Sequence, residues 1–334
     1  MASPISTWIR PLRKALTRRV PPRLLSAVRV GSRWGFINEK GHWSIPDVFD
    51  GAENFSEGLA KVQRGKQRGY IDPQGQVVIP FDYEAGWSFS EGLAAVKKDG
   101  RWGFIDTQGQ LRIPFQYENA SWFCQGLARV RLNDRWGYID AQGEAIISCI
   151  YPNARNFSCG LASVQIDGKY GYINQQGHLV IDAQYDWTHE FSEGLAMVEQ
   201  SGKWGYLNDA GELVIPCRFD DGWIFAEGLA PVHENGKWGF IGIKGNYLIG
   251  NDFDWAGRFR HGLAPVLRGD RYGYIDKFGK PVIPFLYDGV PVFSAGYQHG
   301  LAAVQRGGKY GFIDRHGRQV VPCDFDEVRD FAAL

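Results

Sequence analysis

The sequence predicts an all-β protein, a tandem array of nine units of about 34 residues. Three observations lead there. First, a dipeptide ending in Gly, aromatic-Gly in eight of nine copies, returns in register: Trp34-Gly35, Arg68-Gly69, Trp102-Gly103, Trp136-Gly137, Tyr170-Gly171, Trp204-Gly205, Trp238-Gly239, Tyr272-Gly273 and Tyr310-Gly311. Seven of the eight spacings are 34 residues, and the last is 38 because of extra residues between Phe293 and Gly300. Second, glycine is abundant at 43 residues and aromatics reach 14%, whereas methionine numbers 2, a composition suited to tight turns and stiff strands. Third, apolar positions alternate instead of recurring at three and four, which excludes the helical repeats that share this period.

Residues 92–125 illustrate the order of elements. The run at 93–96 (Leu-Ala-Ala-Val) is a short strand, and Asp99-Gly100 is a hairpin turn signal, since both residues tolerate positive φ. The run at 102–106 (Trp-Gly-Phe-Ile-Asp) is the second strand, followed by a turn at 107–109. A third strand at 111–114 is expected to end at Pro114. Residues 117–123 supply a fourth, and Gln125-Gly126 turns into the next unit.

Invariant columns state what the fold demands. Leucine recurs from Leu25 to Leu301, valine three residues later from Val28 to Val304, and glycine from Gly41 to Gly317. The apolar columns are core. The glycine column implies a backbone shape that a Cβ would strain, or close approach of two strands. One unit buries about five large side chains at about 1.5–3 kcal/mol each, against about 1–2 kcal/mol per residue for ordering its backbone. A lone unit therefore cannot fold, and neighbours must cover its apolar face.

The recurring phrase stands as Gly92-Leu-Ala-Ala-Val96, Arg101-Trp-Gly-Phe-Ile-Asp106, Ile79-Pro80 and Phe191-Ser-Glu-Gly194. In these columns the chain closely resembles the bacterial WG-repeat (KWG-repeat) proteins over residues 25–334. The resemblance implies a β-rich repeat with no common activity and no catalytic residue to carry over. Departures are Arg68 for the aromatic, Gly242 for the usual Asp or Asn, and Gly250 for proline.

The last unit keeps the full apolar pattern, with Leu301, Val304, Tyr310, Phe312, Ile313, Val321, Phe325 and Phe331. An open solenoid would carry a polar cap there. A closed, propeller-like ring is therefore favoured over an open β-solenoid. Against it, 34 residues is short for a four-stranded blade, and residues 1–24 offer a cap.

Charge divides the chain into two regions. Residues 1–24 form a basic leader with Arg10, Arg13, Lys14, Arg18, Arg19 and Arg23 and no acid, either disordered or a short helix, able to touch an anionic membrane surface weakly. Residues 25–334, the single repeat domain, hold the remaining 31 of 37 basic residues against 37 acidic ones. That acidic body argues against nucleic acid. No stretch approaches a membrane span, and no apolar signal-peptide core follows Trp8. The expected location is the bacterial cytoplasm, with the leader allowing membrane-peripheral contact. Five cysteines lack a CxxC pair, and Cys149, Cys217 and Cys323 share a column with Phe81, Phe115 and Phe285, as small buried thiols would.

Repeated polar columns have structural explanations. Asp72, Asp106, Asp140, Asp276 and Asp314, with Asn38, Asn174 and Asn208, precede a turn glycine by three residues and fit side-chain capping of that turn. A second acidic column, from Asp50 and Glu84 to Asp326 with Pro152 as its exception, reads as a solvated face or turn anchor, with a channel lining as the alternative. No metal-ligand spacing joins His42, His178, His189, His233, His261, His299 and His316, and no catalytic or phosphate-loop motif is present. No catalytic residue, metal or cofactor is expected.

The columns that vary are more informative. Trp187 and Trp255 share one offset, Trp87 and Trp223 lie two residues on, and Trp122 one further. Strand parity assigns the first two offsets to the core and leaves Trp122 exposed. The candidate contact residues are Trp87, Trp122, Trp223, Arg155, His189, Tyr297 and His299. The expected function is a non-enzymatic scaffold that binds a protein partner. The alternatives are a glycan- or cell-envelope-binding protein using the tryptophans, and an enzyme with its site in a ring channel.

Overall fold

The structure, a computed structural model, describes residues 24–291 and 299–334. Antiparallel hairpins follow one another into nine blades, and the blades form a closed ring resembling a β-propeller. Blade 4 shows the pattern. Its strands Asn119–Cys124, Leu127–Leu132, Arg135–Ile139 and Ala145–Tyr151 pair in that order.

The strand at 119–124 is the fourth segment of the preceding sequence unit. It crosses at Glu118 into the next sheet and becomes that sheet's first strand. The first strands are innermost, because they touch one another from blade to blade. Ser56 Oγ donates to the Phe89 carbonyl at 2.7 Å, Ser90 to Phe123 at 2.8 Å, Ser158 to Phe191 at 2.7 Å and Ser192 to Phe225 at 2.8 Å. The neighbouring glutamate continues this clasp: the Gln125 and Gly126 amides donate to Glu91, and those of Glu227 and Gly228 to Glu193. Sequence reading saw Phe-Ser-Glu-Gly only as a motif. Where the motif is present, one unit's hydroxyl and carboxylate act on the next unit, a relation that no single unit displays.

The ring closes through the C-terminus. Val28 pairs with Val328 and Leu25 with Ala332, so residues 327–333 supply the innermost strand of the first blade. Phe331 is buried against Phe312, where the earlier blades hold pairs such as Phe157 with Tyr138. This resolves the ring-or-solenoid alternative. The apolar last unit needs no cap because the first blade covers it.

Two glycine columns act differently. A Cβ on Gly103 would stand 2.6 Å from the Ile113 carbonyl oxygen, because the outer strand bulges toward it. The glycine of the aromatic-Gly step thus marks a close approach of two strands. Gly109 has φ of 77° in its turn and rests on Ile79 of the preceding blade. The third strand was expected to end at proline, yet Leu111–Tyr117 runs through Pro114. It is the outer edge of its sheet, where a missing N–H breaks no ladder bond.

Both repeated acidic columns prove to be turn devices. Asp72 accepts from the amides of Gln74 and Gln76. Asp254 accepts from the Gly269 amide at 2.7 Å and pairs with Lys237 at 2.5 Å, and Asp186 and Asp220 repeat the arrangement with Lys169 and Lys203. The Lys237 ammonium and the turn amide hold the Asp254 carboxyl below its ordinary value. The turn-anchor reading of this column holds.

A candidate binding surface on the ring axis

The variable columns meet at one structural feature. In blade 4, Ala120 pairs with Val130 and Phe123 with Ala128, so Ser121 and Trp122 together face the single residue Arg129. Two residues against one is a β-bulge, which bends the strand and re-aims its side chains. The same bulge holds Glu53 and Asn54 opposite Lys61, and His189 and Glu190 opposite Met197. The equivalent positions carry Trp87 and Ser88, Arg155 and Asn156, Trp223 and Ile224, Gly257 and Arg258, and Arg329 and Asp330. Repeated residues build the ring, and residues that do not repeat collect on its innermost strands.

The bulge also explains where parity misled. Trp122 is 40% exposed, as its offset predicts, but Trp87 is 38% exposed and Trp187 39%, against the core expectation. At Trp87 alternation of faces fails because two residues share one partner, whereas Trp187 precedes its bulge and pairs directly with Glu199. Trp223 and Trp255 are partly buried against the apolar cluster of blades 7 and 8, which agrees with that expectation. The Trp87 and Trp122 rings meet edge to face at 5.3 Å, and Trp87 Nε1 donates to the Ala120 carbonyl at 2.9 Å. This joins blades 3 and 4.

Of the other candidates, His189 packs on Trp204 at 5.5 Å. Burial, reinforced by the nearby Arg155 charge, lowers its pKa from the ordinary histidine value. Arg155 lays its guanidinium 4.9 Å from the Trp187 ring centre. His299 occupies the turn before blade 9 with φ of 51°. Tyr297, most of the insertion and the basic leader through Arg23 lie outside the described residues. The structure therefore brings Trp122 and Arg155 to one cavity and sets Trp87 beside them, with His189 in the next bulge.

That cavity, about 370 Å³, spans the bulges of blades 4, 5 and 6. Trp122, Arg129, Arg155, Asn156, Ser158 and Glu190 line it. Arg129, Asn156 and Glu190 were not among the residues singled out from the sequence. Arg129 did carry a signal: its column otherwise holds Ala27, Ala95, Ser163, Met197, Pro231, Pro265 and Ala303, with Lys61 the other charge. Lys61 is satisfied, since its Nζ lies 2.9 Å from Glu53 and donates to the Gly86 carbonyl at 2.7 Å. Among the described residues Arg129 has no such carboxylate.

Among the described residues no cluster of three or more His, Cys, Asp or Glu could hold a metal, and no helix is long and apolar enough to cross a membrane. Burial raises the thiol pKa values of Cys124, Cys149, Cys217 and Cys323.

No curated protein sequence matches the chain. Among solved structures, a crystal structure of a eukaryotic initiation factor superposes with a TM-score of 0.64 at 13% identity, covering 92% of this chain and 97% of that one. It shares the fold alone. Hsv2 of Kluyveromyces lactis gives a TM-score of 0.42 at 11% identity over 68% of this chain and 92% of its own. PorZ of Porphyromonas gingivalis, a component of the type-IX secretion system, gives 0.33 at 9% over 90% of this chain and 50% of its own. The model of the WG containing repeat matches nine successive segments, 34–66, 69–102, 102–136, 136–170, 170–204, 204–238, 238–272, 272–310 and 310–333. With nine such glycine steps in register, eight of them aromatic-Gly, and one blade for each, the chain belongs to the WG-repeat family.

Proposed function

We propose that the protein is a non-enzymatic scaffold that binds a protein partner across the axial surface of the ring. The observation that carries this reading is the gathering of the non-repeating side chains at the bulges of the innermost strands. Trp87, Trp122, Arg155 and His189 are the proposed contact residues there. Trp223 contributes through its half-buried ring, and His299 and Tyr297 are secondary contacts. Large amphipathic rings and arginine are the side chains that dominate protein interfaces. A bacterial cytoplasmic setting is part of this proposal, and five unpaired thiols support it. Proximity cross-linking in native lysate tests the reading: cross-links to a specific partner should map to the innermost strands. A partner attached only to the outer strands, or no specific partner at all, would overturn it.

A second reading, glycan binding, is favoured by the half-exposed Trp87–Trp122 pair. Its test is co-sedimentation with insoluble polysaccharide. W122A indistinguishable from wild type would remove it.

A further inference from the structure

We propose that the cavity across blades 4 to 6 is a carboxylate-binding site, with Arg155 as the contacting cation, Arg129 as a second charge beneath it and Trp122 as the wall for an apolar stem. The inference rests on the reading of the axial surface as the binding surface and names the chemistry it recognises.

The cations come first. Arg129 stacks 4.2 Å from the Trp136 ring centre and donates one amino group to the Ala154 carbonyl of the next blade. Arg155 stacks on Trp187. Neither guanidinium has an ion-pair partner among the described residues, and the Nε of each is buried without a hydrogen bond. Burial is the main influence lowering the Arg129 pKa from its usual value, and the Arg155 charge adds to it. Two guanidinium groups without an ion-pair partner among the described residues share one half-buried cavity, repel each other and have lost part of their hydration, a cost that a bound anion would offset.

Next, the character of the anion. Glu190 also lines the cavity, so the three charges sum to about +1. That matches a carboxylate better than a phosphate, which carries about −1.5 to −2. A planar guanidinium fork suits the two oxygens of a carboxylate. Asn156 donates through Nδ2 to Ser121 Oγ at 3.0 Å, while its Oδ1 is buried without a partner. The exposed Trp122 offers a flat apolar surface beside the charges.

Two sources could present this group: an acidic side chain of a partner protein, or a free small carboxylic acid. Calorimetry at low salt with hydrocinnamate, its neutral amide 3-phenylpropanamide, phenyl phosphate and the peptide acetyl-Gly-Phe-Glu-Gly-amide separates them. Wild type should bind hydrocinnamate saturably and the neutral amide at least tenfold more weakly. R155Q should lose at least tenfold in affinity, R129Q and W122A should also weaken binding, and R135Q, a charge removed outside the cavity, should not. Thermal melts confirm that each variant is folded. The hydrocinnamate-to-amide comparison needs no variant. Tighter binding of the peptide assigns the group to a protein partner, whereas binding of hydrocinnamate without the peptide assigns it to a free acid. No saturable carboxylate binding, equal binding of acid and amide, unchanged affinity in R155Q, or tighter binding of phenyl phosphate would each overturn the site. Partner capture unaffected by R155Q and by excess hydrocinnamate, with no binding heat, removes the site and leaves the scaffold reading. Binding heat without any partner does the reverse.

Discussion

The backbone amide of Arg329 donates to the carbonyl of Ala27 at 2.8 Å, joining the last segment of the chain to the first blade. The same bond recurs inside other blades, where Arg155 donates to Ser163 at 2.8 Å and Trp87 to Ala95 at 2.9 Å. The closing blade thus uses the local geometry of blades 3 and 5, assembled from the two ends of the chain. Ser26 Oγ reaches the Arg329 carbonyl at 2.7 Å, and Asn54 Nδ2 donates to the Asp330 carbonyl at 2.5 Å.

Closure makes Phe331 as costly to truncate as an internal core residue, although it lies near the end of the chain. It is fully buried, so F331A should destabilise by about 3–5 kcal/mol. Denaturant melts check this against F157A, its counterpart in blade 5. A cost for F331A below about 1 kcal/mol would mean that the terminal segment frays and closes nothing.

Gly103 is expected to tolerate less change than Trp102. An added Cβ meets the Ile113 carbonyl at 2.6 Å, and backbone cannot step aside as a side chain can. G103A should cost about 1–3 kcal/mol or more, and W102Y less. Thermal melts showing W102Y as the worse of the two would refute the close-approach account.

The clasp between blades predicts a gain as well as a loss. S90A removes the bond to the Phe123 carbonyl and should cost about 0.5–1.5 kcal/mol. Blade 7 has Ala226 at the clasp position, where Ser56, Ser90, Ser158 and Ser192 stand in other blades. A226S should therefore stabilise by a similar amount if the Phe259 carbonyl accepts as its counterparts do. A melting temperature unchanged or lowered in A226S would show that this carbonyl is not free to accept.

His189 sets the pH response near neutrality. Its folded pKa lies below the unfolded value of about 6.5. The folded state therefore binds fewer protons between the two values, and stability increases with pH there. The contribution of His189 is fully present above about pH 6.5 and is lost as pH falls through the folded pKa. The carboxyls of Asp186, Asp220, Asp254 and Asp326, also lowered, act in the same direction further into acid. H189Q should flatten the decline just below pH 6.5 and leave the more acidic limb in place. Denaturant midpoints measured across that range would expose an error if wild type and H189Q declined together.

Much of this fold is legible in the letters because a packing rule repeated nine times leaves columns. Leu93, Val96 and Gly109 each stand in a column without exception, and all three are structural. Phase was less legible. Sequence assigned residues 119–124 to the unit they end, whereas hydrogen bonding gives them to the next blade. Strand parity failed at Trp87 because a bulge displaces it, and nothing local to residues 87–90 announces a bulge. Arg129 was hidden for a different reason. Its column is apolar or small in most units, so the charge reads as an exception until the cavity beside Arg155 is in view. Relationships between neighbouring units escape a unit-by-unit reading, and the candidate site consists of such relationships.

Closure of the ring is the central claim, and a distance comparison tests it most directly. The Gly41 turn of blade 1 rests on Val321 of blade 9, as the Gly109 turn of blade 3 rests on Ile79 of blade 2. Spin labels at Lys40 and Val320 should therefore give the same distance distribution as labels at Gln108 and Val78, the equivalent pair on two consecutive blades. A closed ring predicts superimposable distributions. A Lys40-to-Val320 distance far longer than the internal one would contradict closure and show an open array.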